Sequence, residues 1–214
     1  MNFSFIIQHI PLFFQAAKLT VALAVSGVIL SIIIGLTCSL IRYYRIPVLR
    51  QIAFIYIELS RNTPLMIQLF FLYYGLPRVG LRLESVTCAI IGLAFLGGGY
   101  MAEAFRGGLE AVSRVQIETG LSIGLNRLQM IRYIILPQAF AVSAPAISAN
   151  TIFMMKETSV FSIIALADLV YVYKDLIKEG YSNESNLMLV SFYLVIILPV
   201  SWAFGQWERR LRHA

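Results

Sequence analysis

Charge is scarce in this chain, so chemistry is to be sought among the few charged and polar residues inside its apolar stretches. Glu58 and Arg61 stand three residues apart, as do Glu103 and Arg106. That spacing puts both members on one helix face, about 5–6 Å apart at Cβ, and charges in an apolar setting are usually paired. Each couple reads first as a structural ion pair and second as a solute contact. Pro64 follows Asn62 and Thr63 and precedes Leu65 and Gln68. A proline removes a backbone donor and frees a carbonyl, and broken helices at membrane depth occur where backbone lines a cavity. Asn62, Thr63, Leu65 and Gln68 are therefore candidate pocket residues, a packing kink being the other reading. Lys156, Glu157 and Thr158 end a later apolar run and, taken alone, are interface residues with Lys156 snorkelling outward. No Gly-x-x-x-x-Gly-Lys-Ser/Thr loop occurs, so ATP hydrolysis by this chain is not expected. His9 and His213 lie at opposite ends, and Cys38 and Cys88 sit in apolar runs as packing residues. Neither a metal site nor a catalytic constellation is indicated.

The elements that position these residues follow from composition. The chain has 214 residues, 59% hydrophobic and 13% charged, with a mean hydropathy of +0.78. A soluble domain carries roughly 45–50% apolar and about 25% charged residues. Disorder, a collagen-like fibre and a disulfide-stapled secreted fold are excluded, which leaves an all-α polytopic membrane protein. Residues 19–41, 85–102, 133–155 and 185–207 carry no charge and are each long enough to cross the hydrocarbon. A fifth span, about 54–76, is interrupted by Glu58 and Arg61. Arg42, Arg45, Arg50, Arg106, Arg114, Arg127, Arg132, Arg209, Arg210 and Arg212 fall on one side of these spans. The positive-inside rule then gives five crossings with the N-terminus outside and the C-terminus in the cytoplasm. The net charge of +6 is thus a topological signal rather than a reason to expect nucleic acid. Residues 1–12 are expected along the outer interface, and residues 159–172 of the outer segment (about 156–184) are apolar enough to dip into the membrane. No soluble domain separates from residues 1–214, and no internal repeat is found.

The longest cytoplasmic segment, 103–132, predicts a helix, a glycine break and a second helix. Glu118, Leu121 and Leu125 share a face, Gly124 is a C-terminal stop, and Pro137 falls in the first turns of the next span. A short helix across the cytoplasmic face without active-site residues has the character of a docking element. Glu118, Gly124 six residues on, then Ile134 and Leu136-Pro137 resemble the coupling motif of ABC importer permeases. The departure is Thr119-Gly120 in place of two alanines, and glycine costs about 1 kcal/mol of helix propensity there. Glu58-Leu-Ser-Arg61-Asn62-Thr63-Pro64-Leu65 with Gln68, Tyr100-Met-Ala-Glu103-Ala-Phe-Arg106-Gly-Gly leading to Gln116, Lys156-Glu157-Thr158-Ser159-Val160, and Trp207-Glu-Arg-Arg-Leu211 are similar to signatures of the polar amino-acid uptake branch (histidine/glutamine/arginine type). The likeness runs from about residue 15 to 211.

The resemblance implies a type I ABC importer permease fold in the bacterial inner membrane. It assigns ATPase coupling to Gln116, Glu118, Leu121, Gly124, Leu136 and Pro137 within a segment of about 106–132. Glu157, Thr158 and Glu184 join Asn62, Thr63, Leu65 and Gln68 as substrate contacts, the carboxylates suiting an ammonium group. The implied partners are a second permease, identical or paralogous, an ATPase dimer that holds ATP and Mg, and an extracytoplasmic solute-binding protein. No cofactor is expected on this chain. The rival reading is an independent secondary amino-acid carrier, or a small ion-coupled channel using Glu58, Arg61 and Glu157 as a relay.

Overall fold

The computed structural model describes residues 3–212, so His213 and the first two residues lie outside it. Among the described residues the regular structure is entirely helical. Helix α1 (Phe3–Tyr43) contains Pro11 without interruption. At 1.5 Å per residue its 41 residues extend roughly 60 Å, about twice the hydrocarbon thickness. The expected interfacial segment at residues 1–12 is therefore, from residue 3 on, an extension of the first span. Within it Phe5 is buried, packing with Phe13, Ala16, Ala17, Leu169, Val172, Leu176 and Met188, whereas Phe3, Ile7, Ile10 and Leu12 stay exposed.

The interrupted span is two helices, α2 (Leu49–Asn62) and α3 (Leu65–Phe70), with a widened turn (Phe71–Gly75) and a tightened one (Leu76–Val79) extending the second. Thr63 between them is extended at φ −112°, ψ 124°, as the ring of a following proline demands. Among the described residues, four helical stretches are each long and apolar enough to cross a membrane, Phe3–Tyr43, Ser85–Glu110, Arg127–Ile164 and Asn183–Leu211, and Leu65–Val79 is a shorter apolar helix.

Helix α4 (Ser85–Glu110) is the centre of the molecule. Its glycines replace side-chain volume with neighbouring helices. A methyl group at Gly97 would overlap Ser31 of α1 and Met154 of α7 (Leu136–Glu157). One at Gly98 would strike Tyr56 and one at Gly99 would strike Ser60, both on α2. Small residues at such crossings let helices gain dispersion contact where lipid offers no hydrophobic drive. Hydrogen bonds across the same seams fix the rotation: Tyr56 Oη donates to Phe95 O (2.8 Å) and Ser143 Oγ to Ala104 O (2.9 Å).

The cytoplasmic segment forms α5 (Arg114–Ser122) and the single turn α6 (Arg127–Met130), closed by a capping box between Asn126 and Gln129. A widened turn at Ile131–Ile135 leads into α7. Pro137 lacks the amide that would complete the regular ladder there, which accounts for the widening. Beyond α7, a tight turn (Thr158–Ile164) leads to α8 (Leu169–Lys178) and α9 (Ser182–Arg212). The apolar stretch 159–172 packs into the protein core, where Phe161, Ile164 and Leu166 meet Leu65, Leu69 and Leu93. The free thiol of Cys88 is buried in this cluster, and Cys38 is half-buried.

Candidate functional site

The helix break builds one wall of a cavity of about 390 Å³. Asn62, Thr63, Pro64 and Leu65 come from the break, Leu96 and Tyr100 from α4, and Phe153, Glu157 and Val160 from the end of α7 and beyond. Arg61 completes it, its guanidinium 5.5 Å from the centre of the Tyr100 ring. Asn150 Nδ2 holds the Tyr100 carbonyl (3.2 Å), tying α7 to α4 at the level of the cavity.

Glu58 and Arg61 do not meet. The Asn62 amide donates both to the Glu58 carbonyl (2.8 Å) and to its carboxylate (3.2 Å), while Arg61 turns to the aromatic ring. Glu103 and Arg106 do pair, at 2.7 Å, inside a longer chain: Arg42–Glu103 at 2.6 Å and Arg106–Glu110 at 2.6 Å. This network crosslinks the ends of α1 and α4, and none of its residues lines the cavity.

Four sequence candidates, Asn62, Thr63, Leu65 and Glu157, come together here, and three do not. Gln68 is buried, and its amide donates to Ser60 O (3.2 Å) and Thr63 O (2.9 Å). At Ser60 O it takes the place of the one backbone donor lost at Pro64, and it supports the break from behind. Thr158 is fully buried, its hydroxyl donating to Met155 O (2.7 Å). Glu184 stands in the first turn of α9, outside the cavity lining, where the helix dipole favours a carboxylate.

Residues the sequence reading left out of the pocket are Leu96, Tyr100, Phe153 and Val160; Arg61, read first as an ion-pair partner and second as a solute contact, also lines it. A signal existed: Phe153 is four residues from Glu157 and Tyr100 three from Glu103, each about one helical turn from a residue already singled out. The cavity holds one cation, one unpaired carboxylate, an exposed backbone break and aromatic walls. Glu157 makes no ion pair or hydrogen bond among the described residues. Such a site suits a small solute carrying both charges.

The residues expected to couple to an ATPase lie on a second surface. Ile117 packs inward with Leu109, Val112, Met130 and Ile135, whereas Gln116, Glu118 and Leu121 are exposed. Leu125, expected beside Leu121, turns toward the body and is half-buried. Gly120 is the point of contact: a methyl group there would press on Met130 and Ile134. The departure from alanine thus seats α5 on the membrane domain. Gly124 has φ 83°, with Gly124 N–H donating to Leu121 O and Leu125 N–H to Gly120 O, both at 3.0 Å. These are the two hydrogen bonds of a Schellman stop. Val115, Ile123 and Leu128 stay largely exposed beside Leu121, an apolar strip without a partner in this chain. Leu136 is half-buried and Pro137 exposed at the start of α7.

The chain as a whole has counterparts among known proteins. The chain is 32% identical to the glutamine transport system permease protein GlnP of Escherichia coli (strain K12), over 99% of this chain and 98% of that protein. It is 37% identical to the probable amino-acid permease protein YxeN of Bacillus subtilis (strain 168), over 94% and 88%. A crystal structure of an amino acid ABC transporter contains a chain 31% identical, superposing with a TM-score of 0.89 over 98% of this chain and 99% of that one. The inward-facing MetNI methionine ABC transporter, at 18% identity and a TM-score of 0.80, shares the fold. Residues 27–213 match the family described as binding-protein-dependent transport system inner membrane component, and the chain belongs to that family.

Proposed function

We propose that this chain is the permease subunit of an ATP-driven importer that moves a polar amino acid by alternating access across the bacterial inner membrane. The observation that carries the substrate class is the pairing of Arg61 with Glu157 around one cavity at a helix break. Arg61 receives the α-carboxylate and Glu157 the α-ammonium, and Asn62, Thr63 and Tyr100 sort side chains. With one charge of each sign, the cavity favours a neutral polar substrate over the basic one that a two-carboxylate pocket would have suited.

The chain crosses five times, N-terminus outside, with α2 and α3 together forming the broken second crossing. A second permease closes the open side of the cavity. The strip formed by Val115, Leu121, Ile123 and Leu128 receives the ATPase, and ATP and Mg reside on that partner, this chain carrying no cofactor. An extracytoplasmic solute-binding protein delivers the substrate. A secondary carrier would need a relay, but Glu58 is held by Asn62 and stands apart from Arg61. Proteoliposomes containing the assembled complex test the reading. Labelled glutamine or another polar amino acid should accumulate only with ATP and binding protein, whereas accumulation driven by an ion gradient without ATP would overturn it.

A further inference from the structure

Where α1 ends, the chain reverses through Tyr44–Val48 into α2, with Arg45 and Val48 both in the left-handed region (φ 52° and 63°). A cavity of about 400 Å³ opens at this corner beside the start of α5, lined by Arg42, Arg45, Arg50, Arg106 and Arg114 with Glu110 as the single acid. Arg42 and Arg106 are already bound to Glu103 and Glu110. Arg45, Arg50 and Arg114 are exposed and have no carboxylate partner among the described residues. Three uncompensated guanidinium groups around one opening repel each other unless an anion joins them. Every cation here is arginine, whose planar fork matches phosphate oxygens two at a time.

The second half of the observation lies alongside. An adjoining cavity of about 560 Å³ shares Arg42, Arg45 and Arg50, and its other walls include Ile46, Pro47, Val48 and Phe54. Val48 is 69% exposed and Phe54 50%. A free anion would satisfy the arginines and leave this apolar rim unexplained, whereas a phosphate with acyl chains attached satisfies both. Basic pockets at the cytoplasmic ends of membrane helices bind anionic headgroups in this manner.

We propose that this corner is a binding site for the phosphate of an anionic phospholipid, with Arg45, Arg50 and Arg114 holding the headgroup and Ile46, Val48 and Phe54 the first acyl carbons. The inference rests on the topology given under the proposed function only for the leaflet that supplies the lipid.

Native mass spectrometry of the detergent-solubilised complex, with its ATPase, tests the site by titration with phosphatidylglycerol, phosphatidylcholine and inorganic phosphate. Phosphatidylglycerol should bind, phosphatidylcholine should not, and millimolar phosphate should leave the lipid in place. The combined variant Arg45→Asn, Arg50→Gln, Arg114→Gln should bind roughly a hundredfold more weakly. Asparagine is chosen because it tolerates the left-handed backbone at position 45. The variant with lysine at all three positions should recover most of the affinity. Equal binding of both lipids, or an unchanged triple variant, would overturn the site. Displacement by phosphate would assign it to a soluble phosphate, and loss of the ATPase with lipid binding intact would assign the arginines to that subunit; either result also overturns the proposal. None of these readings uses transport, so wild-type complex that binds lipid but fails in ATP-driven uptake would count against the importer alone.

Discussion

Glu157 and Arg61 carry the substrate reading as individual side chains, and each is separable from the fold. Glu157 is half-buried and unpaired, so Glu157→Gln keeps shape and removes one charge-assisted contact. Such a contact is worth roughly 1.5–3 kcal/mol, which predicts an increase of about 10- to 100-fold in apparent KM for uptake. Size-exclusion chromatography should find the complex still assembled; wild-type uptake would remove Glu157 from the site. Asp168 offers a second test at this scale. Its side chain is fully buried, Oδ1 caps α8 through the Tyr171 amide (2.8 Å), and Oδ2 has no partner. Burial pushes its carboxyl up to about 7, the Tyr171 amide and Lys174 opposing the rise. A folded value above the unfolded one means the native state binds the extra proton. The stabilisation is then complete below about pH 4 and is lost as pH rises toward 7, at no more than about tenfold per pH unit for one proton. Amide exchange in α8, corrected for intrinsic rate, should therefore quicken between pH 5 and 8. Asp168→Asn keeps the cap without the charge and should flatten that profile.

Two turns make the site and the docking surface possible, and both depend on backbone chemistry. At Pro64 the missing amide separates α2 from α3, and Gln68 takes up the carbonyls so exposed. Pro64→Ala restores a donor and removes a helix penalty of about 3 kcal/mol, so the break should close toward a continuous helix. Uptake is expected to fall at least about tenfold while ATPase association persists; unchanged uptake would show that the break does not shape the pathway. At Gly124 nothing obstructs a side chain, so the constraint is the left-handed backbone alone. Gly124→Ala should cost roughly 1–2 kcal/mol at the end of α5. Transport-coupled ATP turnover in the assembled complex should drop, Gly124→Asn being milder because asparagine visits this conformation readily.

The molecule as a whole is a bundle organised on α4 and left unfinished on its periphery. Val195 and Trp202 of α9 are 71% and 70% exposed, and the cavity at the helix break is open to one side. Both features fit a subunit that works beside lipid and a second permease. Topology is the prediction proper to this scale. In a variant lacking both native thiols (Cys38→Ser, Cys88→Ala), Arg82→Cys should react with an impermeant maleimide from outside. Arg127→Cys should react only after the membrane is opened, and the reverse pattern would invert the assigned orientation.

Much of this was legible in the chain because membrane helices obey simple rules. Apolar run length located the four long spans, arginine placement suggested their orientation, and Pro64 and Gly124 declared a break and a stop through backbone chemistry that no tertiary contact alters. Motif spacing was enough to identify the family. What the chain alone left open were choices among partners. Glu58 and Arg61 had the spacing of an ion pair, but Asn62 lay closer to the carboxylate and Tyr100 offered the arginine a ring. Residues 159–172 were apolar enough to enter the membrane, and only the fold showed which protein side chains Phe161, Ile164 and Leu166 pack against. Gly120 read as a weak point in a helix and proved to be the contact that seats it. Spacing determines which groups share a face; only the packing of α4 against its neighbours decides which of them meet.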